Sequence, residues 1–149
     1  MRKRMKQLSI TVLTLVMSLF GATSAFAYDG WADSIPTAYS LNGPISGVST
    51  TINGSDDVDW FSWTNDTGKS VNFVASLQSP AGKNYDLHAV TYTGSSYLSN
   101  GAATDHGAGA IDSMGGNLPA GWTMYFQVRG QTGSDYSTSL TYNINFSYS

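Results

Sequence analysis

The stretch Leu140-Thr141-Tyr142-Asn143-Ile144-Asn145-Phe146-Ser147-Tyr148 decides the fold class. Its large apolar residues fall at every second position, with Thr141, Asn143, Asn145 and Ser147 between them. Successive side chains of a strand point to opposite faces, so this period marks a strand with one dry face and one wet face. Working outward, Val71, Phe73, Ala75 and Leu77 alternate with Asn72, Val74, Ser76 and Gln78 in the same way. Further strands are expected over residues 59–64, 85–93 and 124–129, with weaker candidates at 44–52, 95–98 and 108–114. Turn signals separate them at Asn53-Gly54, Thr67-Gly68, Ala81-Gly82, Gly115-Gly116-Asn117, Ala120-Gly121 and Gly133-Ser134-Asp135. No helical stripe follows Ala27, so no crossover helix is available and parallel βαβ units are excluded. The pattern predicts a β-sandwich or small barrel of about eight strands.

Composition agrees. The chain has 149 residues with no cysteine, and its ten acidic residues are all aspartate. Asp favours turns and Glu favours helices, so the bias runs against helix. Any mechanism needing a Glu acid or ligand, a thiolate metal site or a disulfide scaffold is excluded as well.

Arg2, Lys3, Arg4 and Lys6 precede an apolar run from Leu8 to Phe20, and Ser24-Ala25-Phe26-Ala27 closes the segment with small residues where a signal peptidase reads. This is the pattern of a bacterial secretory signal at residues 1–27, with cleavage expected after Ala27 and a secreted product. The run falls short of the roughly 20 apolar residues that cross a bilayer. A single domain is expected over 28–149, opening with an irregular arm at 28–41. Cleavage would leave Lys69, Lys83 and Arg129 against ten aspartates, a net charge of −7. Such a chain repels phosphate backbones and anionic lipid, so neither nucleic acid nor membrane is an expected partner.

Three local features occur in order. Gly54-Ser55-Asp56-Asp57-Val58-Asp59-Trp60-Phe61-Ser62-Trp63 is an acidic turn leading into an aromatic strand. Asn84-Tyr85-Asp86-Leu87-His88-Ala89-Val90-Thr91-Tyr92 is a turn whose Tyr-Asp-Leu opens a strand. Leu118-Pro119-Ala120-Gly121-Trp122-Thr123-Met124-Tyr125-Phe126-Gln127-Val128-Arg129-Gly130 follows, and then Ser134-Asp135-Tyr136. Together they resemble the bacterial pre-peptidase C-terminal domain, a relative of the collagen-binding domains of clostridial collagenases. The resemblance spans about residues 35–146 and implies a jelly-roll-like antiparallel β-sandwich without catalytic activity. It also implies a calcium site in which Asp56, Asp59 and the Trp60 carbonyl supply the turn, while Asp33 or Asp29 supplies the arm. Collagen binding does not carry over, because Arg129 and Gln131 stand where those relatives carry tyrosines. Family modules usually ride on a catalytic domain; no such domain is expected within these residues, so the role of an appended module does not carry over with the resemblance.

Read from the residues alone, Asp56, Asp57 and Asp59 either share a cation, Ca²⁺ taking six to eight oxygens, or form a solvated turn. Asp86 is expected to accept turn amides and fix the entry of its strand. His88 is expected to face solvent, and Asp105, His106 and Asp112 could hold a metal on composition alone. No G-x-S-x-G elbow accompanies the numerous serines, so an enzyme is not expected. Trp60 and Trp63 are expected in the core or covering its edges, whereas Trp122, Tyr125, Tyr92 and Tyr97 are the aromatic candidates for binding. Such rings dock sugars or extended peptides. The function expected is therefore a secreted, non-catalytic module that recognises an extracellular polymer, a wall component or a protein partner. Two other classes are a matrix protein that self-associates through β edges and a small secreted hydrolase or effector using His88 or His106.

Overall fold

The computed structural model describes residues 30–149; the signal segment, Tyr28 and Asp29 lie outside them. Its strands are β1 (Tyr39–Ser40), β2 (Ile45–Thr50), β3 (Val58–Thr64), β4 (Val71–Gln78), β5 (Tyr85–Tyr92), β6 (Tyr97–Ala102), β7 (Ile111–Leu118), β8 (Thr123–Gly130) and β9 (Tyr142–Tyr148), with one 3₁₀ turn at Ile35–Thr37. They form a five-stranded sheet in the order β1-β3-β8-β5-β6 and a four-stranded sheet in the order β2-β9-β4-β7. Only β5 and β6 are both consecutive in sequence and paired, so nearly every connection crosses between the sheets. All pairings are antiparallel except β1 with β3. The architecture is the all-β, jelly-roll-like sandwich that the sequence predicts.

Alternation places the core. β3 buries Asp59, Phe61 and Trp63, β4 buries Val71, Phe73, Ala75 and Leu77, and β9 buries Tyr142, Ile144 and Phe146. β5 and β8 contribute Tyr85, Leu87, Ala89 and Thr91, and Met124, Phe126 and Val128. The rings interlock across the sheets, with Phe126 and Phe146 at 5.7 Å, Trp63 and Phe146 at 5.0 Å, and Phe61 edge-on to Tyr142 at 6.4 Å. Burying each such ring contributes about 1.5–3 kcal/mol, which makes this lattice the main cohesive term.

Three expectations need correction. Leu140 lies outside β9 and is exposed, because Ser137 turns the chain there by accepting the Ser139 and Leu140 amides. Gly115-Gly116-Asn117 is not a turn but the interior of β7. A Cβ on Gly115 would stand 2.8 Å from the Phe73 carbonyl oxygen, so glycine there permits close approach to β4. The arm is also less irregular than expected. Ser40 lies beside Ser62, and Trp60 N–H donates to the Ala32 carbonyl at 2.7 Å, which docks the arm on β3.

Candidate functional site

The outer face of the five-stranded sheet gathers most of the aromatic candidates. Register opposes Tyr92 to Tyr97 and to Thr123, Tyr125 to Ser62 and Val90, and Gln127 to Trp60 and His88. All of these alternate with core residues and so share the solvent side. Tyr92 and Tyr97 have ring centroids 4.8 Å apart, and Tyr97 and Tyr125 are 6.3 Å apart. Tyr97 is 56% exposed. Burial, followed by the neighbouring Tyr97 and Tyr92, pushes the Tyr125 phenol up, so it stays a neutral donor at physiological pH. Trp122 precedes β8 and packs against the core instead, while Trp63 is buried as expected. Trp60 is half-buried on the outer face beside Gln127, rather than in the core, because Asp59 and Phe61 take the inward positions of β3.

At the acidic turn, Asp57 Oδ2 accepts the Asn53 amide at 2.6 Å. Asp59 is completely buried, and its Oδ2 accepts the Tyr142 hydroxyl at 2.6 Å. Asp59 Oδ1, the Tyr85 hydroxyl and the Thr50 hydroxyl are buried without a hydrogen-bond partner. Burial pushes the Asp59 carboxyl up to about 8 against the lowering effect of the Tyr142 bond, and Asp57 and Asp33 add to the rise. Tyr142 is held well above the usual phenol range, first by its own burial and then by Asp59. Asp33 and Asp56 are exposed.

A second acidic region was only partly legible. Among the described residues, Asp86, Asp105 and Asp112 are the trio whose carboxylate atoms lie within 4.8 Å of one another; the Asp33, Asp56 and Asp59 carboxylates do not converge this closely. His106 N–H donates to Asp112 Oδ1 at 2.9 Å, and its Nδ1 lies 3.3 Å from the same oxygen. Asp105 accepts from the Gly107 amide first, then from Asn84 Nδ2 and Gln131 Nε2, and these bonds hold its carboxyl below the usual range. Asp86 accepts no turn amide, contrary to expectation. Asp135 does that work, taking the Asn84 amide at 3.0 Å and the Thr132 amide at 3.1 Å. It was visible in sequence only as part of a turn. Asp86 instead sits on the outer face opposite Arg129, with its Oδ2 3.9 Å from His88 Nε2. His88 is half-buried rather than free in solvent, and burial lowers its pKa. A groove of about 330 Å³ beside β1 and β3, lined by Ser40, Leu41, Asn42, Trp63, Asp66 and Tyr148 among others, contains neither histidine.

No family model and no curated protein matches the chain. Solved structures do. The Yersinia pseudotuberculosis-derived mitogen is 15% identical, with a TM-score of 0.51 over 69% of this chain and 84% of that one. The periplasmic inhibitor of g-type lysozyme from Aeromonas hydrophila is 11% identical, with a TM-score of 0.48 over 75% and 96%. The pre-peptidase C-terminal domain of collagenase from Bacillus anthracis is 15% identical, with a TM-score of 0.47 over 75% and 92%. The likeness to the mitogen establishes the fold, and the domain that the three motifs resemble is among the solved structures this chain is similar to.

Proposed function

We propose that the protein is an exported, non-catalytic binding module that recognises an extracellular polymer, a wall component or a protein partner through the outer face of its five-stranded sheet. The observation that carries this reading is the Tyr92–Tyr97–Tyr125 cluster, flanked by Ser62, Thr123 and Gln127. Flat rings with hydroxyl and amide groups beside them offer stacking area and directed hydrogen bonds at little entropic cost. In an acidic molecule this part of the face carries no charge, which suits an uncharged ligand surface. No helix of the described residues is long and apolar enough to cross a membrane. Export rests on the basic head, apolar run and small-residue site of residues 1–27, and N-terminal sequencing of the released protein checks it by reading Tyr28 first.

A calcium clamp at the acidic turn belongs to the same proposal. The donors are hard oxygens, as Ca²⁺ requires, and the buried, unpartnered Oδ1 of Asp59 is an oxygen a cation would satisfy. Asp59, Asp56 and Asp33 would hold it, with Asp57 adding negative potential, and the ion would neutralise charge while tying the arm to β3. Asp33 and Asp56 would have to turn toward Asp59 to complete it. Equal melting temperatures in excess calcium and in chelator would remove the clamp.

The binding reading is tested by co-sedimentation with insoluble chitin, cellulose, peptidoglycan and fibrous collagen. Saturable depletion on one polymer that is lost in Tyr97→Ala supports the face. Depletion unchanged by Tyr97→Ala and Tyr125→Ala moves the site elsewhere, and no depletion on any polymer leaves a protein partner as the reading to pursue.

A further inference from the structure

Among described strands longer than two residues, β6 alone buries nothing; all six residues from Tyr97 to Ala102 are exposed. Leu98 lies opposite the buried Thr91, on the core side of the sheet, yet it is 48% exposed. The β5–β6 hairpin therefore overhangs the second sheet, leaving Leu98 bare beneath it and Tyr97 bare above. One edge of β6 pairs with β5 and the other ends the sheet. A free edge is a row of unsatisfied N–H and C=O groups, which proteins normally blunt with lysine, proline, inward charge or a bulge. β6 has one bulge, where Asn100 is extra between Ser99 opposite Val90 and Gly101 opposite Ala89, and its Tyr97–Ser99 half pairs in regular register. From Leu87 to Thr104 there is no Lys, Arg, Asp, Glu or Pro.

The other edges are defended. β1 has two residues. β2 is as free of charge as β6, but Pro44 stands at its head and Val48 and Thr50 anchor it in the core. β7 carries Asp112, grouped with Asp105 and Asp86, so a second acidic chain approaching there meets like charge.

We propose that β6 is a self-pairing edge, on which two copies of this chain join antiparallel β6 strands across a two-fold axis perpendicular to the sheet. The argument for a second copy is electrostatic and geometric. The described residues carry nine aspartates against three basic residues, so two copies repel except where both present a neutral strip. An antiparallel strand is also self-complementary under a two-fold axis, so one edge satisfies its twin. The axis keeps both outer faces on the same side of one continuous sheet. The dimer would therefore present two tyrosine clusters to a single polymer, although the pairing itself does not depend on that use.

Sedimentation velocity of the purified protein over a concentration series tests this, with Ser99→Lys at the proposed edge and Ile45→Lys at β2. The expected result is a dimer whose dissociation constant rises at least tenfold in Ser99→Lys and is unchanged in Ile45→Lys, with matching melting curves. A monomer up to about 1 mM overturns the proposal, as does a dimer indifferent to Ser99→Lys. If Ser99→Lys does not fold, amide hydrogen exchange of the unmodified protein decides. β6 amides that slow with rising concentration support the pairing, and concentration-independent exchange refutes it.

Discussion

Asp59 and Asp135 are aspartates of one sandwich held in opposite ways. Asp135 is a half-buried turn residue whose two oxygens meet the Asn84 amide, the Thr132 amide and the Thr132 hydroxyl, and these bonds outweigh burial to hold its carboxyl below the usual range. Asp59 lies deeper, with one hydrogen bond, one unpartnered oxygen and acidic neighbours, and burial pushes it up to about 8. The difference shows that burial alone does not decide a carboxylate's state here; the number of donors reaching it does. Asp135 is a finished structural brace. Asp59 keeps one oxygen unpartnered, the oxygen to which the proposed clamp would bring a cation.

The largest expected effect comes from removing the single donor on Asp59. Tyr142→Phe leaves the buried carboxyl with no bond, and should cost about 2–3 kcal/mol in denaturant unfolding; a loss below about 0.5 kcal/mol would mean that Asp59 is satisfied in another way. On the other side of the comparison, Asp135→Ala frees two amides near water and should cost about 1 kcal/mol. If it costs more than Tyr142→Phe, the ranking of the two sites is reversed.

The pH response sharpens the same contrast. With its folded pKa near 8 and its ordinary value at 3.8, Asp59 keeps a proton in the folded state that the unfolded chain has already lost. The stability that Asp59 contributes in chelator should therefore be fully present below about pH 4 and be lost as pH rises toward 8. Thermal melts across that window check this. Calcium should flatten the decline, and Asp59→Asn should abolish this contribution in chelator; the same slope in wild type and Asp59→Asn would break the assignment. The smallest stability change is expected at Tyr97→Ala, within about 0.5 kcal/mol, because the ring is exposed. The same variant should weaken polymer binding about tenfold, a loss of about 1.4 kcal/mol measured by depletion isotherms.

Much of the fold was legible because period-two alternation reports burial directly. Val71–Gln78 appears in the structure with the expected bounds, and its odd-numbered residues are buried. The failures share a cause: a residue type has more than one physical use. Gly115 and Gly116 read as a turn but permit close packing against Phe73. Asp86 read as the acceptor of turn amides, yet Asp135, 51 residues from Asn84 in sequence, accepts the Asn84 amide. The aromatic candidates separated in the same manner. Tyr92, Tyr97 and Tyr125 meet because register aligns three strands, whereas Trp122, adjacent to β8 in sequence, turns toward the core.

By itself the sequence determined the strands, the wet and dry side of most of them, the acidic turn and the secretory pattern of its first 27 residues, since each is written in spacing along the chain. Only the tertiary structure decided which strands neighbour one another and that Asp59 would be buried on Tyr142. It also decided that Asp105 and Asp112 would gather beside Asp86, and that β6 would overhang the sandwich. These depend on pairings between distant segments, where sequence separation says nothing about which backbone groups will satisfy each other.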